Sequence, residues 1–176
     1  MTQAVIPTTD TWMAKVRDFV LSIVPSGTPV LRAPINRAAM PKDPCVIMTP
    51  LFQKRLRTNL HTDIDPFPDP GGSTSTEMGT EAHVQLDFYG PQSNDWCAAA
   101  AMLWRDEYGC NMLNPDASPL YTNDARMVPL VTGEEQYFER YSLTAVLQWN
   151  PVTVTPQQFV DAVDVVLIDV DVAYPP

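Results

Sequence analysis

Residues 139–150, Glu-Arg-Tyr-Ser-Leu-Thr-Ala-Val-Leu-Gln-Trp-Asn, leave little freedom in what they form. Tyr141, Leu143, Ala145, Leu147 and Trp149 recur at every second position. Arg140, Ser142, Thr144 and Gln148 fall between them, with Val146 the exception. Side chains of a strand point alternately to opposite faces, so this spacing specifies a β-strand with one covered face. Asn150-Pro151 ends it. A second run of this kind lies at His83–Gly90, where Val84, Leu86 and Phe88 alternate with Gln85, Asp87 and Tyr89 before Gly90-Pro91. Between the two strands the spacing changes to helical over about 93–108. Ser93 is the expected N-cap, Asp95 suits the positive end of the helix dipole, and Gly109 is the expected stop. Trp96, Ala99, Ala100, Leu103 and Trp104 form the apolar stripe, and the run Ala98–Ala101 permits close packing. The stretch from Glu81 to Asn150 therefore reads as a strand, helix and strand platform.

The remainder extends that platform into an α+β fold of mostly antiparallel sheet within a single domain, 1–176. Residues 1–9 are expected to be a loose arm. Asp10 or Thr11 should cap a helix running to about Val24, with Trp12, Val16, Phe19, Val20, Ile23 and Val24 facing the sheet and Pro25 and Gly27 stopping it. Eighteen prolines against seven glycines, about twice the usual proline share, favour fixed turns and extended segments. Residues 25–44 are one such segment, with a short strand at about 28–33. Residues 45–65 read as one long β segment that Pro50 makes an edge or a bulge. Its middle carries Lys54, Arg55 and Arg57, either a solvated face or a contact with an acidic neighbour. Asp65–Glu77 has only loop composition and is expected to be the tip of an extended hairpin spanning 60–80, whose second arm returns at 78–90. Residues 111–127 read as irregular, Arg126–Thr132 as a short strand turned at 132–134, and 157–163 as a helical turn begun by Pro156. A last strand is expected at 164–173, with Asp169 and Asp171 on one face.

Little in the chain suggests catalysis. A net charge of −10 argues against a general nucleic-acid binder, which needs a basic surface to displace phosphate counterions. Cys45, Cys97 and Cys110 are odd in number and match no zinc spacing. Cys97, in the first helical turn, could have its pKa lowered by the dipole, though no histidine is near in sequence and a buried structural role fits better. His61 and His83 fall on the two hairpin arms, but no third metal ligand accompanies them. Asp169 and Asp171 could hold a cation or line an acidic surface. There is no nucleophile elbow, phosphate-cradling glycine loop or dinucleotide fingerprint, so no enzyme, cofactor or metal is expected. Neither a signal peptide nor a membrane span is visible, so a soluble protein made in a cytoplasm is expected.

The order of elements resembles that of the tail-terminator (neck) proteins of tailed bacteriophages. The pieces carrying the resemblance are His83–Gly90 and Glu139–Pro151, with the acidic β segment near the C-terminus as a third. It covers about residues 80–172, with topology alone matching before that. The resemblance implies a virion component made in the host cytoplasm and assembling as a homo-oligomeric ring, commonly a hexamer. Such a ring caps the tube of tail tube protein, stops its polymerisation, and meets the head–tail connector protein and, in contractile tails, the sheath protein. Genomic DNA would pass through its centre without specific binding, which an acidic chain favours by repelling phosphate. Closing the ring takes a head-to-tail interface. The expected interface residues are Phe67, Asp69, Ser73 and Thr74 of the hairpin tip and Trp96 and Ala100 of the central helix. Lys54, Arg55 and Arg57 are candidate basic contacts, and Asp169 and Asp171 a candidate acidic surface. A tail-completion, connector or tube protein is a related reading. A small metal-binding domain or enzyme using His61, His83 or Asp169 and Asp171 is a reading of a different class.

Overall fold

The fold is organised by two ten-residue strands paired along their whole length. The computed structural model describes residues 8–34, 44–65, 71–131, 137–159 and 165. In it, β5 (Thr80–Tyr89) and β10 (Arg140–Trp149) run antiparallel, with Leu143 opposite Leu86 and Ala145 opposite Val84. On the other side of β5 lies β2 (Cys45–Arg55), with Met48 opposite Leu86. The sheet is completed by β1 (Val30–Arg32), parallel to β2, and by β6 (Ser118–Thr122) and β7 (Arg126–Met127), both antiparallel to β10. Two further pieces, β8 (Leu130–Val131) and β9 (Tyr137–Phe138), pair with each other. The architecture is α+β and mostly antiparallel, as the alternation requires.

The apolar faces of β2, β5 and β10 meet α1 (Asp10–Ile23) and α2 (Ser93–Trp104). Trp12, Val16, Phe19 and Val20 of α1 and Cys97, Ala100 and Trp104 of α2 are almost wholly buried there with Val84, Leu86, Phe88, Leu143 and Leu147. Trp104 meets Phe19 edge to face at 5.1 Å between ring centroids. Burial of such aromatic side chains contributes most per residue to a core of this kind.

Several boundaries differ from the sequence expectation, each for a local reason. The residue before α1 is Thr9, in helical conformation and without a side-chain cap bond, and Asp10 is instead the first helical residue, paired with Arg32. Ser93 is likewise inside α2, preceded by Gln92; its hydroxyl is buried with no partner among the described residues. The helix stops at Trp104 because Asp106 turns extended and accepts the Glu107 N–H, at 2.8 Å, starting α3 (Glu107–Leu113). Gly109 is therefore no stop. It lies within α3, where a Cβ would sit 2.4 Å from the Trp104 carbonyl oxygen, so glycine lets the two helices touch at their joint.

The region 111–127 expected to be irregular holds the rest of α3, then β6 and β7. In β2 a register shift separates the pair Pro50–Val84 from Gln53–Ala82, the bulge that the proline foreshadows. The segment 45–65 is two strands, because residues 56–59 break it before β3 (Leu60–Ile64). Gly72–Glu77, taken for loop, is β4, and Pro156 lies within a strand, β11 (Val152–Gln157), in place of starting a helical turn. Asp87 and Tyr89, expected on a solvated face, are buried at 4 % and 5 % exposure. Residues 1–7 of the loose arm expected at 1–9, most of 35–44, the turn at 132–134, residues 160–163 of the expected helical turn and most of the strand at 164–173 lie outside the described residues.

Candidate assembly surface

The three central strands of the platform continue beyond it. β3, β4 and β11 form a second antiparallel sheet, ordered β3-β4-β11, and they follow β2, β5 and β10 in the same spatial order. Each strand is interrupted at the same level, at 56–59, 78–79 and 150–151. Backbone bonds bridge the interruption: Leu56 N–H to the Gly79 carbonyl at 2.9 Å and Met78 N–H to the Pro151 carbonyl at 3.0 Å. From Gly72 to Tyr89 the ribbon runs for about 60 Å at the usual rise of a strand. The expected hairpin thus exists, but it is a three-stranded arm, and β11 is the strand that sequence reading missed. Val-Thr-Val-Thr at 152–155 was the available signal.

The arm has two unlike faces. On one, Thr74 donates to Asp63 at 2.6 Å and pairs with Gln157, while His61 Nδ1 lies 3.2 Å from the Thr76 hydroxyl. The register puts Leu60, Thr62, Ile64, Val152 and Val154 on the other, with Ser73, Ser75 and the ion-paired Glu77 of β4 between the two outer strands. Leu60 and Ile64 are 49 % and 55 % exposed, and Val152 and Val154 are 40 % and 38 % exposed. At the tip, the Phe159 ring lies against Gly72, where a Cβ would come within 2.1 Å of it, so only glycine admits the ring.

The candidate basic residues stand at the arm's root. Lys54 is opposite Glu81, and Arg57 forms an ion pair with Glu77. Arg55 donates to the Arg57 carbonyl at 2.7 Å and to Asn59 at 2.9 Å. Ser73 and Thr74 belong to β4, one on each face. Trp96 and Ala100 are at 7 % and 0 % exposure, so they pack within the chain and offer a partner little or no surface. Phe67, Asp69, Asp169 and Asp171 lie outside the described residues.

Beside the arm, the platform face turned away from the helices carries a polar layer. Glu81 bonds His83 at 2.8 Å and accepts the Tyr121 hydroxyl at 3.1 Å; Phe52 stacks on His83 at 4.1 Å. The bond from His83 holds the Glu81 carboxyl below its ordinary pKa, and the bond to Glu81 raises that of Tyr121. Asp87 meets Arg140 at 2.8 Å and Gln85 at 2.9 Å, and the Arg140 guanidinium lies over the Tyr89 ring. His61 and His83 thus have separate partners in separate sheets. No group of three or more His, Cys, Asp or Glu side chains is placed to hold a metal among the described residues. Burial, with help from the charge of Asp87, pushes the Cys97 thiol up to about 11, opposite to the lowering that a helix start would give. No described helix is long and apolar enough to cross a membrane.

A search among curated proteins finds no match. A protein-family model described as phage neck terminator protein matches residues 10–172, nearly the whole chain. The chain belongs to the phage neck terminator family. The family is one of structural neck components, which places this neck terminator with the tail and neck of the virion. The match begins at Asp10 and so takes in α1 and the arm, where the sequence offered only an order of elements.

Proposed function

We propose that this neck terminator forms a homo-oligomeric ring, a hexamer in the simplest case, that caps the tail tube and stops its polymerisation. Its other surface then meets the head–tail connector protein, and in a contractile tail the last ring of sheath protein. Genomic DNA passes through the centre without specific contacts, helped by the net charge of −10. The observation carrying this reading is the arm: a three-stranded extension whose exposed apolar side chains stand outside the chain's own core. The tip residues Phe67 and Asp69, the arm residues Ser73 and Thr74 and the basic root of Lys54, Arg55 and Arg57 belong to the contacts we assign to the arm. Asp169 and Asp171 are assigned to an acidic surface.

Negative-stain images of the purified chain, alone and mixed with purified tail tubes, test the reading. Closed rings of one size, seated on tube ends and blocking further growth by tube protein, are the expected result. Long tubes of this chain alone would make it a tube protein. A chain that stays monomeric and leaves tube growth unaffected would overturn the reading.

A further inference from the structure

We propose that the apolar arm face docks on a second copy of this chain, against the exposed patch around Met127, Val128 and Tyr137 at the opposite end of the platform. The inference rests on the ring reading and names the surfaces that close the ring. Leu60 and Ile64 of β3 and Val152 and Val154 of β11 stand as two apolar rows, 38–55 % exposed. Between them β4 contributes Ser73 and Ser75 and, at the root end, Glu77 with its charge paired by Arg57, so a shallow trough of small side chains runs along the face towards the tip. The opposite face, with Thr74, Thr76, His61 and Asp63, satisfies its polar groups internally. An arm built only to be solvated has no need of this division into polar and apolar faces.

The partner follows from where the second patch lies. Met127 is paired with Tyr141, the Val128 N–H bonds the Arg140 carbonyl at 2.8 Å, and β9 leads Tyr137 into β10. Met127 and Val128, at 56 % and 40 % exposure, therefore stand where β10 begins, with Tyr137, 79 % exposed, three residues before it, while the arm leaves where β10 ends. About 33 Å of strand separates the two ends. Two different apolar patches at opposite ends of one subunit are what a head-to-tail contact requires, and repeating that contact closes a ring or runs into a filament. Charge agrees at one residue: exposed Arg55 at the arm's root bonds a backbone carbonyl and the Asn59 amide in place of a carboxylate, while Asp124 and Glu139 are exposed at the far end beside Arg126. Three strands of five or six residues present a face of about 20 by 15 Å, well under the roughly 800 Å² each side buries in a stable pair. One such contact is weak, and ring closure, giving every copy two, is what makes it persist.

The test uses the full chain with Cys110→Ser, since Cys45 and Cys97 are buried. Val154→Cys and Met127→Cys are placed on separate protomers, mixed, and treated with a short bis-maleimide. The expected product is a covalent dimer that needs both cysteines, and a ladder ending at the ring number when one chain carries both. Val154→Asp should raise the concentration at which rings form by roughly tenfold or more, with circular dichroism and melting temperature unchanged. Thr155→Lys, on the polar face, should leave it alone. Rings that form normally with Val154→Asp and show no crosslink between 154 and 127 would overturn the docking surface and leave the ring reading standing. A wild-type chain that forms no ring, alone or on tubes, would overturn both.

Discussion

The indole N–H of Trp104 donates to the backbone carbonyl of Val146 at 3.0 Å, tying the last turn of α2 to the middle of β10. Both residues are buried, so water cannot replace either group. Trp104→Phe keeps most of the packing but strands the carbonyl, and should cost about 1–3 kcal/mol. Trp104→Ala adds a cavity and should cost about 3–5 kcal/mol. Urea titrations should show both as lower midpoints at unchanged slope.

Asp87 and Arg140 face each other across β5 and β10 with the carboxylate side chain at 5 % exposure and the guanidinium at 20 %. Removing only the cation, Arg140→Met, leaves a buried carboxylate with Gln85 as its side-chain donor among the described residues and should destabilise by about 3–5 kcal/mol. The double variant Asp87→Leu with Arg140→Met should lose much less than the single changes summed. A double-mutant cycle in urea measures the coupling, and additive losses would show that the pair acts independently.

Glu81 has a folded-state pKa below its ordinary 4.5, first because His83 hydrogen-bonds its carboxylate. A depressed carboxyl contributes stability that is fully present above the unfolded pKa and disappears as pH falls through the folded one. The wild type should therefore lose stability below about pH 4.5, and Glu81→Gln should flatten that limb while lowering stability at neutral pH. Urea midpoints measured from pH 7 to pH 3 for both chains decide it; parallel curves would remove Glu81 as a contributor.

The legible parts of this fold are those where one side chain in two or in three to four must be buried. Val84, Leu86 and Phe88, the run Tyr141–Trp149 and the stripe of α1 announced themselves for that reason. β4 did not, because Gly-Ser-Thr-Ser-Thr-Glu buries no row of apolar side chains and is a strand only through its two neighbours, β3 and β11. The break between α2 and α3 was hidden in the same way. It depends on the Asp106 side chain capturing one N–H, whereas the apolar spacing runs on past it. For the assembly surface, the sequence marked the hairpin and its basic root. It misdirected attention to Trp96 and Ala100, since an apolar helical stripe looks alike whether it faces its own sheet or a neighbour. The exposed rows at Leu60, Ile64, Val152 and Val154 emerge only from strand register, which places residues some ninety positions apart on one surface.

That register also sets a schedule. β4 is complete once Glu77 has been synthesised, yet its partner β11 is seventy-five to eighty-five positions further along. Pairings so distant in sequence form slowly, since loop closure precedes any gain from contact. Until Val152–Gln157 leaves the ribosome, the arm is a bare two-stranded hairpin, a form with marginal stability by itself. The row of Val152 and Val154 does not yet exist, and a nascent chain presents half of the trough. By the time the surface is whole, β10 has already been made, so a finished arm comes attached to a platform whose central strands are all available.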